Sequence, residues 1–255
     1  MATIKPQSHG FHIANDNRQV PHYDVVFCIT GLHYYLPCVM SLLSTVQYLT
    51  HLGMSVYVAA DAGPSIHELR DIIVNGGSAG NGGYRPFADD EYWSEWRAFD
   101  GQFTYDQIVW IDNDIYWVAE DIIKLLNHPE DVVSGLYLAA NATEFVVHIH
   151  PSSMTSINQI ETLRKKTNNG LIEVFSVGFG FMKVRYGVYE SLQRPIYFQT
   201  DYTWQMPDGS VIAGKQISED GSFCQRVRES GRSVYVDPQI VVGHFKRIPI
   251  DMYPK

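Results

Sequence analysis

Cysteine is scarce in this chain: three residues, Cys28, Cys38 and Cys224, in a sequence of 255. The number is odd and no pair has Cys-x-x-Cys spacing, which excludes a disulfide framework and a thiolate zinc site. They read as buried thiols of a reducing compartment. Long apolar runs are missing too, and the first residues lack the charged-then-apolar order of a secretory signal. The expectation is therefore a cytoplasmic protein, in which the formal sequon Asn141-Ala142-Thr143 has no meaning. Positive charge is sparse: 19 Lys and Arg stand against 28 Asp and Glu, for a net charge of −9. Without a dense basic cluster, nonspecific binding to a nucleic-acid backbone is disfavoured, although a local basic groove stays open. Neither a repeat nor a linker is visible. The organisation expected is a flexible N-terminal arm over residues 1–21 and a single domain over residues 22–255. What is present is apolar material: 45% hydrophobic and 13% aromatic residues suffice for a large core.

That material is arranged in alternating periods. Residues 23–30 read as a buried strand, followed by Gly31. A helix then carries Cys38, Leu42, Thr45, Leu49 and Leu52 on one face and stops at Gly53. A second strand over residues 55–60 precedes Gly63-Pro64-Ser65, which opens a helix over 66–74. This β-α-β-α order predicts an α/β fold with a mostly parallel sheet covered by helices. Residues 75–83, rich in glycine, read as a surface loop or a lid. The aromatic and acidic segment 89–99 reads as a helix. Further on, a helix is expected over 119–126 and a strand over 131–136. Residues 141–170 have the look of an insertion with a helix at 157–166. Strand character returns over 175–184, where Gly178 and Gly180 imply close approach of another backbone or a ligand. A Tyr/Trp/Pro-rich loop covers 194–216, then a helix runs from about 218 to 230, and strands follow at 233–237 and 239–244.

The stretch with the most chemistry is Gln107-Ile-Val-Trp-Ile-Asp-Asn-Asp114. An apolar strand ends in two carboxylates one residue apart, and in open α/β sheets ligands bind beyond the strand C-termini. Asp112 and Asp114 suit a shared divalent cation, or a cation and a sugar hydroxyl. Taken by itself the segment is equally well a polar turn after a core strand.

Five motifs in order extend this reading: Gly63-Pro-Ser-Ile66 with Arg70, Ile111-Asp-Asn-Asp114, Ser176-Val-Gly-Phe-Gly-Phe-Met182, Ser218-Glu-Asp-Gly-Ser-Phe-Cys224, and Val234-Tyr-Val-Asp-Pro238 followed by Gly243-His244. Together, over roughly residues 23–244, they resemble the GT-A-fold glycosyltransferases of bacteria, phages and large viruses. The resemblance implies a GT-A, Rossmann-like fold and transfer of a sugar from a nucleotide sugar, a UDP-sugar first, with inversion. It places Thr30, Gly31, Asp61, Ser65 and Arg70 around the nucleotide, with Asn113 and Gly178 beside the donor. Asp112, Asp114 and His244 would hold Mn²⁺ or Mg²⁺. Asp220 would be the base, paired with Glu219 in the first turn of a helix, where the dipole favours negative charge. Lys246 and Arg247 would add to the phosphate clamp or be solvated tail charges. Tyr197, Tyr202 and Trp204 are candidates for stacking on a sugar or for covering the core.

The sequence departs from the family in three ways. Asp71 stands where the family usually has Asn, the stretch between Arg70 and Asp112 is longer, and the segment after Leu136 lacks Tyr-Pro-x-Lys. The acceptor stays open among glycan, lipid, protein, small molecule and modified base. Two other functions compete. A sugar nucleotidyltransferase should carry a basic residue after the first strand, and Thr30-Gly-Leu-His-Tyr-Tyr35 has neither Lys nor Arg. A noncatalytic sugar- or nucleotide-binding module would keep the pocket and lack turnover.

Overall fold

The computed structural model describes residues 20–31, 33–62, 65–76, 96–151, 153–168, 170–197, 202–205, 209–214 and 218–246. The expected N-terminal arm up to residue 19, the glycine-rich loop from 77 and the aromatic-acidic segment up to 95 lie outside the described residues, as does Arg247.

Fourteen strands and six α-helices are described. The first half of the chain contains β1 (His22–Thr30), α1 (Leu36–His51), β2 (Val56–Asp61), α2 (Ile66–Val74), β3 (Thr104–Asp112), β4 (Ile115–Tyr116) and α3 (Ala119–Asn127). Next come β5 (Val132–Leu136), β6 (Glu144–His150), β7 (Ser153–Ser156), α4 (Ile157–Lys166), β8 (Ile172–Val174), β9 (Ser176–Val177) and β10 (Phe181–Arg185). The chain closes with α5 (Val188–Ser191), β11 (Tyr202–Gln205), β12 (Val211–Gly214), α6 (Glu219–Glu229), β13 (Val234–Val241) and β14 (Gly243–His244).

Seven strands form the central sheet in the order β2-β1-β3-β10-β5-β13-β8. The pairs β1–β2, β1–β3 and β5–β13 are parallel, whereas β10 is antiparallel to both β3 and β5, and β8 to β13. Five strands thus share one direction, and the architecture is a mixed α/β sandwich compatible with a Rossmann-like fold. The reason is legible in β1 and β3, whose apolar runs have no polar face. Val26, Cys28, Ile108 and Trp110 point into one core cluster, and Val25, Phe27, Ile29, Val109 and Ile111 into another. Successive side chains alternate between faces, so two buried faces demand an unbroken apolar strand.

Helix boundaries follow local chemistry. Pro37 sits in the first turn of α1, where its missing N–H costs nothing, and Gly53 ends the helix with a left-handed φ of 84°. Ser218 caps α6 by accepting the Gly221 N–H at 3.3 Å. Three expectations change. The single strand expected over 175–184 is two, β9 in a small sheet with β6 and β7, and β10 in the central sheet. The long loop over 194–216 contains the antiparallel hairpin β11–β12. The two strands expected at 233–237 and 239–244 are one strand, β13, with a register shift between Val236 and Val241, followed by the short β14. Pro238 lies at the irregularity, where a missing N–H is tolerated in a sheet. All three cysteines are free and buried. Burial and the neighbouring Asp114 and Asp112 push the Cys38 thiol up to about 12, and burial likewise takes Cys224 to about 12, so both are unreactive.

Candidate active site

The C-terminal ends of β1 and β3 lie side by side, with Thr30 in register with Asp112. Just beyond them a cavity of about 320 Å³ opens. Its wall includes Thr30, Gly31, Arg70, Asp112, Asn113 and Asp114, together with Tyr137, Phe179, Glu219, Asp220, His244 and Lys246. These residues come from widely separated segments, and local chemistry aims each one. The Asp-Asn-Asp turn is held by backbone bonds from Tyr35 N–H to the Asn113 carbonyl, at 3.3 Å, and from Phe245 N–H to the Asp114 carbonyl, at 2.7 Å. The Asn113 side chain donates to the His33 carbonyl. The short ladder between β14 and β4 sets His244 opposite Ile115, directly beside Asp114.

The two carboxylates of the turn, Asp112 and Asp114, each have their own cation. Arg70 Nη2 donates to Asp112 Oδ1 at 3.1 Å and lies 3.8 Å from Glu219. The Thr30 hydroxyl donates to the same Asp112 oxygen at 3.4 Å. The Arg70 side chain is only 3% exposed, its guanidinium lies 4.4 Å from the Phe179 ring centroid, and its Nε and Nη1 are buried without a hydrogen-bond partner. Burial works against the Arg70 charge, but Asp112, Glu219 and Asp220 outweigh it and raise the group above its ordinary value. Glu219 moves up, driven by burial and by Asp220, against the pull of Arg70. Lys246 Nζ donates to Asp114 Oδ2 at 2.7 Å, and His244 Nε2 is 3.3 Å from the same oxygen. Burial pushes the Asp114 carboxyl up, and its bonds to His244 and Lys246 overcome that and hold it below the usual carboxylate range. Asp220 Oδ1 accepts from the Ser218 hydroxyl and from the Gly221 N–H, the latter at 2.9 Å.

His244 carries a further constraint. Its Nδ1 donates to the Leu138 carbonyl at 2.6 Å. A neutral ring with hydrogen on Nδ1 turns a lone pair, on Nε2, toward the Asp114 oxygen. Two lone pairs at that distance repel unless a proton or a cation comes between them. A histidine fixed in this manner by a backbone carbonyl is the usual arrangement of a metal ligand. The donor set of Asp112, Asp114 and His244 therefore fits a divalent ion, although the three are not gathered onto one point. Among the described residues, the group with ligand atoms within 4.8 Å of one another is His22, Asp24 and Asp106. That set, which could also hold a cation, sits at the opposite end of the same strands. With β1 nine residues long, the two ends are roughly 26 Å apart.

Three residues expected at the nucleotide lie off the cavity. Asp61 pairs in register with Thr30, but its side chain accepts from the Ala62 N–H at 2.7 Å and borders a separate cavity of about 160 Å³ beside Tyr57 and Phe103. Ser65 is the residue before α2, and its carbonyl accepts from Leu69. Gly178 stands behind Tyr137. The close approach that the glycine pair implies is made by this ring: a Cβ on Gly180 would lie 2.6 Å from Tyr137 Cζ, and one on Gly178 would strike its hydroxyl. Tyr137 was not visible as a site residue in the sequence, because its partners Gly178, Gly180 and His244 are all distant in the chain. Its hydroxyl accepts the Gly180 N–H at 3.0 Å, and its ring meets His244 edge-on at 5.3 Å. Tyr197 is a core residue, 3% exposed and bonded to Tyr189 at 2.7 Å, so it does not offer a sugar platform. Side chains of Tyr202 and Trp204 lie outside the described ones.

No family model and no curated protein matches this chain. Among solved structures, A197 from STIV is similar at 15% identity and a TM-score of 0.48, over 88% of this chain and 86% of that one. A glycosyltransferase involved in glycosylation of the major capsid of PBCV-1 is similar at 12% identity and a TM-score of 0.27, over 65% of this chain and 61% of the other. Likenesses at this level fix neither family nor activity. Among the described residues no helix is long and apolar enough to cross a membrane.

Proposed function

We propose that this chain is a metal-dependent glycosyltransferase of GT-A type that takes a sugar from a UDP-sugar, or a related nucleotide sugar, and transfers it with inversion to a hydroxyl acceptor. The observation that carries this reading is the charge of the cavity. Four carboxylates, Asp112, Asp114, Glu219 and Asp220, face two cations, Arg70 and Lys246, leaving a formal charge of −2 with His244 neutral. A site of that charge repels a nucleoside diphosphate and attracts a divalent cation.

Asp112, Asp114 and His244 are the residues that would hold such a cation. Once bound, Mn²⁺ or Mg²⁺ would neutralise the negative charge that grows on the departing diphosphate. The chain supplies the remaining work. Arg70 is held rigidly by Asp112 and Phe179 and sets a buried positive charge in the wall of the cavity. Asp220 keeps one oxygen on its helix N-terminus and offers the other to the acceptor proton as sugar transfer proceeds. Glu219, whose proton is held more tightly than usual, fixes Arg70 on the same side of the cavity. The bonds from Ser218 and Gly221 to Asp220 also support a second reading, a noncatalytic nucleotide-sugar-binding module in which Asp220 only caps α6.

Incubation with Mn²⁺ and a panel of nucleotide sugars, with nucleoside diphosphate release followed without acceptor, separates these readings. Slow hydrolysis of one donor is expected, abolished by chelation and reduced at least tenfold in Asp114→Ala, as removal of a charge-stabilising group requires. Donor binding by calorimetry with no release would favour the binding module, and neither binding nor release would overturn the donor site.

A further inference from the structure

The cation closest to the candidate metal position belongs to the chain itself. The β14–β4 ladder pairs His244 with Ile115 and continues through the bond from Phe245 N–H to the Asp114 carbonyl. His244 and Lys246 are two residues apart along this extended segment, so both project toward the same side. Both reach one atom, Asp114 Oδ2, His244 Nε2 at 3.3 Å and Lys246 Nζ at 2.7 Å. The other carboxylate of the turn is occupied differently, since Asp112 is bound by Arg70, a buried guanidinium with no freedom to leave. Lys246 has that freedom: its side chain is 43% exposed, against 17% for Asp114. The ammonium thus reaches in from the mouth of the cavity on a flexible stem to the carboxylate that a divalent ion requires.

We propose that Lys246 is a tethered cation that occupies Asp114 until a divalent ion displaces it, and that the released ammonium then pairs with the donor's diphosphate, so that metal and nucleotide binding are coupled through this one side chain. The inference rests on the assignment of Asp114 and His244 as metal ligands. A divalent ion beside the ammonium would bring like charges together, and Coulomb repulsion at that distance is large enough to expel the more mobile one. Only an ion pair holds it, and a pair this exposed is weak. Once free, the ammonium lies at the mouth of a cavity in which metal and diphosphate leave excess negative charge at the phosphate oxygens. A strongly hydrated point charge on a four-carbon stem suits that relocation, and a guanidinium fixed on an aromatic ring does not. Lys246 is therefore an inhibitor of metal binding in the empty site and a ligand for phosphate in the filled one.

The test is a binding cycle on the full chain. Mn²⁺ affinity is read from the electron paramagnetic resonance of free Mn²⁺, with and without UDP, GDP or ADP, in wild type and in Lys246→Met, after correction for Mn²⁺–nucleotide association in solution. Without nucleotide, Lys246→Met should bind Mn²⁺ about three- to tenfold more tightly, a shift of the size that site–site coupling produces. The factor by which nucleoside diphosphate increases Mn²⁺ affinity should fall by at least as much. If removal of the charge acts only at long range, metal affinity rises and nucleotide affinity falls while the coupling factor stays equal in both proteins, and that result overturns the proposal. Unchanged Mn²⁺ affinity overturns it too. Absence of Mn²⁺ binding in both proteins would overturn the metal-site assignment itself, a failure distinguishable from the first two.

Discussion

Tyr137 organises the site at the level of single residues. Its ring fills the space left by Gly178 and Gly180 and lies edge-on to His244. This explains a pair of glycines that strand propensity alone would not choose. In Gly180→Ala the new Cβ would sit 2.6 Å from Tyr137 Cζ. The ring must then move, disturbing its edge-on contact with His244, which is itself tied to the Leu138 carbonyl. The expected result is a loss of about 1–3 kcal/mol in urea unfolding, the usual cost of overpacking, together with weaker Mn²⁺ binding. The double variant Gly180→Ala/Tyr137→Ala should be less destabilised than the sum of the two single changes, since the clash is absent. Strict additivity would show that the two positions do not meet. The sequence contained half of this: it marked a close approach at the glycines but not the residue that makes it. A contact between positions far apart in the chain leaves no local pattern, whereas the abrupt end of an apolar run in Asp112 and Asp114 does.

The same division holds for secondary-structure elements. Strands β1, β2 and β3 and helices α1, α2 and α6 were legible because each has its own period and its own stop, such as Gly53 or the Ser218 cap. The strands of the hairpin β11–β12 are only four residues each, too short for a period to stand out in a Tyr/Trp/Pro-rich stretch, and the Pro238 irregularity splits β13 into two apparent strands. The insertion of β10, antiparallel between β3 and β5, was not predictable, as pairing order depends on nonlocal contacts. One residue of β10 stands out chemically. Lys183 is fully buried in the sheet and donates to the carbonyls of His128, at 2.6 Å, and Glu130, at 2.7 Å. It ties β10 to the turn that follows α3. Burial brings its pKa down to about 8. Between that value and the ordinary lysine range the unfolded chain holds one proton more than the folded one, so this group makes stability rise with pH through that window. Below it both states are charged and the slope vanishes. Thermal unfolding of wild type and Lys183→Met between pH 7 and 10, an interval of about three units, should show a steeper upward trend in wild type. Lys183→Met should also be less stable throughout, since two carbonyls lose their donor at about 1–3 kcal/mol each. Parallel curves would mean that Lys183 does not change its proton on folding.

On the scale of the whole molecule, charge ties composition to site. The chain carries −9 overall, and the cavity keeps a surplus of two negative charges. A diffusing nucleoside diphosphate is therefore repelled by the molecule and again by the pocket, until a divalent ion cancels the pocket's surplus charge. Salt should report the change. At 0.1 M ionic strength the screening length is about 10 Å, and at 0.01 M about 30 Å, so lowering the salt extends repulsion well beyond the cavity. In chelator, thermal stabilisation by UDP should be small and should decrease as salt is lowered. With Mn²⁺ present it should be larger and should hold or increase at low salt, because the ion and Arg70 then dominate the ligand's surroundings. A basic phosphate groove behaves in the opposite manner, with anion binding strongest at low salt and no need of metal. If the UDP shift in chelator were greatest at low salt, the four carboxylates would not control the pocket, and Arg70 with Lys246 would define an anion site in its own right. The net charge was readable from the sequence, and the resemblance put Glu219 and Asp220 in one site with Asp112 and Asp114, but the sharing of Arg70 between Asp112 and Glu219 was not readable. It requires α6 to pack against the sheet so that its first turn meets the end of β3, and that arrangement converts an acidic composition into a cation-dependent pocket.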